Sequence, residues 1–200
     1  MARPRGVSDD DLLQAASDVL MARGPAAFTL ERSATQAGVS AATLIKRFGS
    51  RRELLLALDR RWVASIPAGV AEVAVGRTAV DRLRAAVLWG REDLDTPEHT
   101  ANSLAALALD LTDPALTELL GEGWRAIEAA LVPLVQGAID AGELAADVPA
   151  HRLARVLRAT CEGSCLAWLT APEGTLADRL AEDVDVLLRG WRTAGTIAHR

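Results

Sequence analysis

The sequence predicts an all-α protein, and three observations carry that prediction. Half of the 200 residues are apolar, with alanine and leucine dominant and β-branched residues outnumbered, a composition that favours helix. No segment alternates apolar and polar residues for long enough to make a strand. Helix punctuation recurs instead, with Ser, Thr or Asp before the apolar-periodic runs and Gly or Pro after them, and it marks about nine helices.

Residues 8–23 form the first helix. Ser8 caps it, Asp9, Asp10 and Asp11 sit near the positive end of its dipole, and Gly24-Pro25 closes it. Leu12, Ala15, Ala16, Val19 and Leu20 keep helical spacing and make one buried stripe. Two short helices follow, too small to bury a core alone, and Phe28, Leu30, Val39, Leu44 and Phe48 are the expected partners of that stripe. The two short helices lie in residues 29–52, TLERSATQAGVSAATLIKRFGSRR. Thr29 caps a helix over 30–37, Gly38 allows the reversal, Ser40 caps a helix over 41–48, and Gly49 ends it. Helix, glycine turn, helix is the helix-turn-helix plan, whose second helix enters the DNA major groove.

Ser50 caps a fourth helix, with Glu53 in a capping-box position, and Leu54, Leu55, Leu58, Trp62 and Val63 carry it to Pro67. Residues 66–76, IPAGVAEVAVG, break the period and suggest the boundary. The expected organisation is therefore a three-helix head over 1–50, a linking helix over 51–66 and a helical body over 67–200. Five helices are expected in the body: 78–94, one starting at Thr96-Pro97, one from Asp113-Pro114 to about Ala141-Gly142, 149–169 and 175–194.

Charge is divided along the chain. Residues 1–61 hold ten Lys/Arg against seven Asp/Glu, whereas the remainder holds twelve against twenty. Within residues 40–61 six cations face two anions, so the positive field is concentrated on the motif. No apolar run is long enough to span a bilayer, and the N-terminal MARPRGVSDDD has no apolar core behind its arginines, so a cytoplasmic protein with no membrane partner is expected. Cys161 and Cys165, on consecutive turns of one predicted helix, read as small buried hydrophobes rather than a disulfide. His99, His151 and His199 lie far apart and none pairs with a cysteine at metal-ligand spacing, so neither metal nor cofactor is expected.

The stretch QAGVSAATLIKRFGSRRELLLAL resembles the DNA-binding signature of the TetR (tetracycline-repressor-like) family of one-component bacterial regulators. The match rests on Gly38-Val39-Ser40 at the turn, Thr43-Leu44 in the recognition helix, Phe48 at its end, and Ser50 with Leu54-Leu55 after it. Phe28-Thr29-Leu30 and the all-α body agree with it, and the turn Ala141-Gly142-Glu143-Leu144 has a familiar form. Four positions depart from the family pattern. Ile45 stands where a phosphate-contacting tyrosine is usual, a loss worth about 1–2 kcal/mol. Ala42 replaces glycine, Ser33 replaces an aliphatic residue, and Arg51 replaces lysine while keeping its charge.

From the motif, Thr29, Lys46, Arg47 and Arg51 are candidate phosphate contacts, and Ser40, Ala41, Ala42 and Thr43 lie in the turn that reads base edges. The methyl groups of Ala42 and Thr43 suit a thymine methyl. Arg3 and Arg5 flank Pro4 in an arm of the kind that enters the minor groove. The resemblance implies a body that binds a small, often apolar effector. Trp89, Trp124, Leu104, Ala108 and Ile127 are the pocket candidates. It also implies a homodimer built by the last two helices, with Leu157, Cys161, Ser164, Leu180, Val184, Leu187 and Trp191 as interface candidates. The expected function is a ligand-responsive repressor bound to a double-stranded operator. Two alternatives are a dimeric ligand-binding or interaction module that has lost DNA binding, and an enzyme with an incidental helix-turn-helix. The second finds no nucleophile–base pair at a recognisable spacing in the body.

Overall fold

A computed structural model describes residues 7–91, 94 and 96–193. Among the described residues the chain forms nine helices: α1 Asp9–Ala27, α2 Leu30–Gln36, α3 Ala41–Phe48, α4 Arg51–Val73, α5 Ala79–Val87, α6 Pro97–Asp110, α7 Pro114–Asp140, α8 Ala150–Thr170 and α9 Leu176–Arg189. The fold is all-α. Its one isolated β-bridge among these residues joins Leu144 to Arg192.

The helix starts follow the sequence. Ser8 and Asp11 form a reciprocal capping box on α1, Thr78 and Asp81 do the same on α5, and Thr175 caps α9. Helical geometry in α1 breaks at Gly24, whose φ of +71° suits glycine, and Pro25 follows. Three ends differ from expectation, and one of them is α9, which stops at Arg189 rather than 194. Helix α4 continues through Pro67 to Val73, although an interior proline removes a hydrogen bond and strains the turn. Ile66 and Val70 are buried on either side of it while Pro67 itself is exposed, so packing offsets the loss. The same pattern recurs in α7, where Pro133 is exposed between fully buried Leu131 and Val135. Helix α5 stops at Val87, short of the expected 94, in a turn closed by Leu88 N–H bonds and Gly90 at φ +76°.

The chain divides into two compact units, residues 1–63 with 101–120, and residues 64–100 with 121–200. Helices α4, α6 and α7 contribute residues to both. In the first unit, Leu12, Leu13, Ala16 and Val19 of α1 pack with Phe28, Ala34, Leu44 and Leu54–Leu56. Leu30, Val39 and Phe48 are partly buried against that core, as the stripe on α1 requires. Leu109, Ala115, Leu116 and Leu119, far along the chain, complete it. In the second unit α8 packs along α9, and α5 lies against both. Its core includes Leu83, Leu131, Val135, Leu157, Leu180 and Val184.

Candidate nucleic-acid interface

The turn between α2 and α3 is fixed by backbone chemistry. Gly38 adopts φ +67°, its N–H donates to Thr35 O at 3.1 Å, and the Val39 N–H donates to Ala34 O at 2.9 Å. This paired bonding satisfies the last carbonyls of α2 and requires a left-handed residue, which glycine supplies. Helix α3 then begins at Ser40, whose Oγ accepts the Thr43 N–H at 3.3 Å and lies 3.0 Å from Thr43 Oγ1. Leu44 is fully buried and anchors α3 to the core of the first unit. Ala42, Ile45 and Lys46 remain exposed, and at spacings of three and four they share one face. Ser40 is exposed too, whereas Ala41 and Thr43 are half-buried.

The four candidate phosphate contacts have different surroundings. Lys46 is exposed and makes no ion pair among the described residues. Arg47, also exposed, pairs with the Asp9 carboxylate at the start of α1. An exposed pair of this kind is worth about 0–1 kcal/mol, so a phosphate can compete for Arg47. Thr29 caps α2 by accepting the Arg32 N–H at 3.2 Å. Arg51 is committed inside the unit: Nε donates to Phe28 O and Nη2 to Pro25 O, each at 2.8 Å, and the guanidinium lies 5.6 Å from the Phe28 ring centroid. It braces the α1–α2 link. Arg3 and Arg5 lie outside the described residues.

Two contacts in this unit had no local signal, because each joins residues far apart in sequence. Asn102 on α6 donates from Nδ2 to Met21 O at 2.8 Å. A β-carbon on Gly24 would fall 2.5 Å from Asn102 Oδ1, so this glycine is needed for close approach as well as for its φ. Arg52 grips Asp113 with two bonds, of 2.5 and 2.9 Å. That bond holds the Asp113 carboxyl down at about 2, while Asp113 also accepts the Ala115 N–H at the start of α7.

The effector candidates fall in both units: Leu104 and Ala108 in the first, Trp89, Trp124 and Ile127 in the second. Ala108 is exposed and Leu104 half-buried. Trp89 packs on Gly69, where a β-carbon would fall 2.4 Å from the indole Nε1. Trp124 stacks under the Arg158 guanidinium at 4.5 Å, and Arg158 Nε donates to Glu128 at 2.9 Å. Ile127 is half-buried.

In the turn at residues 141–144, Glu143 accepts the Ala79 and Val80 N–H groups at 2.9 and 3.0 Å and so caps α5. Burial pushes the Glu143 carboxyl up, but those backbone bonds outweigh it and hold the group below its usual range.

Leu157, Cys161, Ser164, Leu180 and Val184 are buried within the single chain, while Leu187 and Trp191 are half-buried. The side chains that α8 turns outward are others: Val156, Ala159, Gly163, Leu166 and Ala167. Leu180 and Val184 of α9 belong to the core of the second unit, and Leu187 lies at its edge. Periodicity finds an apolar face but does not say which of two apolar faces on α8 turns inward. Both cysteines are free and buried, and burial pushes the Cys161 thiol up to about 11. Among the described residues no group of three or more His, Cys, Asp or Glu is placed to hold a metal, and no helix is long and apolar enough to cross a membrane.

A capped helix-turn-helix that leaves Lys46 and Arg47 exposed, in an all-α chain, is the plan of a DNA-binding transcriptional regulator. Residues 12–58 match the family of bacterial regulatory proteins, tetR family, and residues 79–191 match the BetI-type transcriptional repressor C-terminal domain. The chain belongs to the TetR family.

The transcriptional activator FasR of Mycolicibacterium smegmatis is 41% identical over 87 residues. That segment is 42% of this chain and 39% of FasR, so the match spans well under half of either. A TetR transcription regulator from Haloarcula marismortui superposes with a TM-score of 0.76 at 16% identity, covering 92% of this chain and 97% of that one. A regulator from Saccharomonospora viridis, solved in complex with choline, gives 0.71 at 21% identity over 90% of this chain and 94% of its own. At these identities the two structures bear on the fold alone.

Proposed function

We propose that this regulator is a homodimeric, cytoplasmic repressor that leaves its operator when a small, apolar effector binds its body. The observation that carries the reading is the outward face of α3, where Ala42, Ile45 and Lys46 are exposed on a helix capped for entry into the major groove. Two such helices in a dimer meet half-sites about 34–36 Å apart. Lys46 and Arg47 supply phosphate contacts, Arg47 by exchanging Asp9 for a phosphate oxygen. The Thr29 hydroxyl at the start of α2 adds another.

Dimerisation is assigned to the outward face of α8. Val156, Ala159, Gly163, Leu166 and Ala167 recur at helical spacing, and Val156 and Leu166 are 42% and 60% exposed in the single chain. Small residues between two larger apolar ones let a second helix approach closely. In the second unit Trp89, Trp124 and Ile127 are the effector candidates. The choline complex of the Saccharomonospora protein supports a small-molecule role for this fold. An effector acts by binding better to the DNA-incompetent arrangement and shifting the population toward it. Helix α4, with residues in both units, is the lever. This population shift needs no catalysis.

The name of the C-terminal domain match favours repression, whereas the Mycolicibacterium relative is an activator. A reporter driven by the promoter next to the gene, in cells with and without the gene, separates the two. Repression predicts that reporter output rises when the gene is deleted, and that an added effector gives the same rise. A fall on deletion makes the protein an activator, and no change in either direction contradicts regulation of that promoter.

A further inference from the structure

We propose that Ile45 is a specificity-determining residue that reads a thymine methyl group in the major groove, in each half-site. The inference rests on the DNA-reading role of α3 proposed above. Ile45 is 50% exposed, a large apolar side chain in the middle of α3 with no core to enter, because Leu44 beside it already fills that place at 0%. It shares its face with the methyl group of Ala42 three residues earlier and stands next to the cation of Lys46.

The polar chemistry of α3 leaves little else to read bases. Residues 40–49 contain no Asn, Gln, Asp or Glu, so the paired bonds that select adenine or the acceptor that selects cytosine are missing. The Ser40 and Thr43 hydroxyls lie 3.0 Å apart, bonded to each other, and Ser40 Oγ also accepts the Thr43 N–H. Arg47 is paired with the Asp9 carboxylate and is assigned above to phosphate.

What remains on the reading face is apolar, formed by Ala42 and Ile45, beside Lys46, which is assigned above to phosphate. The thymine C5-methyl is the apolar group that base pairs present in the major groove, so it is the partner this face fits. A contact of Ile45 with a base methyl carries sequence information, which a phosphate contact does not.

The test uses the full-length protein and the duplex it enriches from a randomised pool. Each thymine of that duplex is replaced in turn by deoxyuridine, which removes the methyl alone, and affinity is measured at fixed salt for wild type, Ile45→Ala and Ile45→Val. The expected result is one position per half-site where the missing methyl weakens wild-type binding about fourfold, the scale of one buried methyl. Ile45→Ala loses that dependence and Ile45→Val keeps part of it. Circular dichroism confirms that the variants fold, as expected for a half-exposed site.

The proposal is overturned if uridine has no effect at any position, or if Ile45→Ala shows the same uridine penalty as wild type. In both of those cases sequence-specific binding, and so the regulator reading, stands. If the pool yields no enriched sequence, the DNA-reading role falls and this proposal falls with it.

Discussion

Ser33 is fully buried on α2, and its hydroxyl has no hydrogen-bond partner among the described residues. Leaving such a group unpaired costs about 1–3 kcal/mol. Ser33→Ala removes the hydroxyl and suits a helix better, so it is expected to stabilise the fold by about 1 kcal/mol and raise Tm by about 2–4 °C. A melting curve with an equal or lower Tm would contradict this. Asp59 on α4 is the second residue under tension. Burial, with a contribution from Asp110, pushes its carboxyl up to about 7, and one of its oxygens is buried without a partner. The folded pKa lies above the ordinary 3.8, so the folded state binds the extra proton. The contribution to stability is then complete below about pH 4 and is lost as pH rises through about 7. Asp59→Asn should therefore stabilise the protein at pH 8 and change little at pH 4. Asp59 is partly solvated, so the difference is on the order of 1–2 kcal/mol rather than the full value of the shift. Denaturant titrations at the two pH values check it, and equal effects at both would rule the ionisation out.

At the scale of the element, α3 is the part whose function is most open to test. Lys46→Ala removes a phosphate contact without touching the core. It should weaken operator and random duplex by the same factor and lower the salt slope by about one per protomer. A loss confined to the operator would make Lys46 a base reader instead. This helix was legible in the sequence because its determinants are local: Ser40 and Gly38 act on neighbours within five residues. The same holds for the capping boxes of α1 and α5. The surroundings of the site residues were less legible. Arg51 reads as a phosphate ligand from its place at a helix start, yet its donors go to Pro25 and Phe28, carbonyls that only tertiary folding brings near. Pro67 reads as a stop because nothing local shows that Ile66 and Val70 will be buried around it. The inward face of α8 was hidden for a related reason, since both of its sides are apolar enough to pack.

At the scale of the whole molecule, paired half-sites need two copies of the chain. Leu166 is 60% exposed in one chain, so Leu166→Glu leaves the protomer core intact while placing a charge in the proposed helix-pairing face. Sedimentation at micromolar concentration should show wild type as a dimer and the variant as a monomer, with half-site binding much weakened. A variant that remains dimeric would move the interface elsewhere. The division of charge, basic over the first 61 residues and acidic beyond, makes the same point electrostatically: affinity for DNA resides in a small part of an acidic chain. The central claim is that this chain holds a specific, paired DNA site, and footprinting on the DNA flanking its own gene across a salt series tests it most directly. The account predicts saturable protection of two half-sites one helical turn apart, weakening steeply as salt rises. Equal, weak binding to that DNA and to random duplex at every salt concentration would contradict it, and would leave the body as the functional part of the molecule.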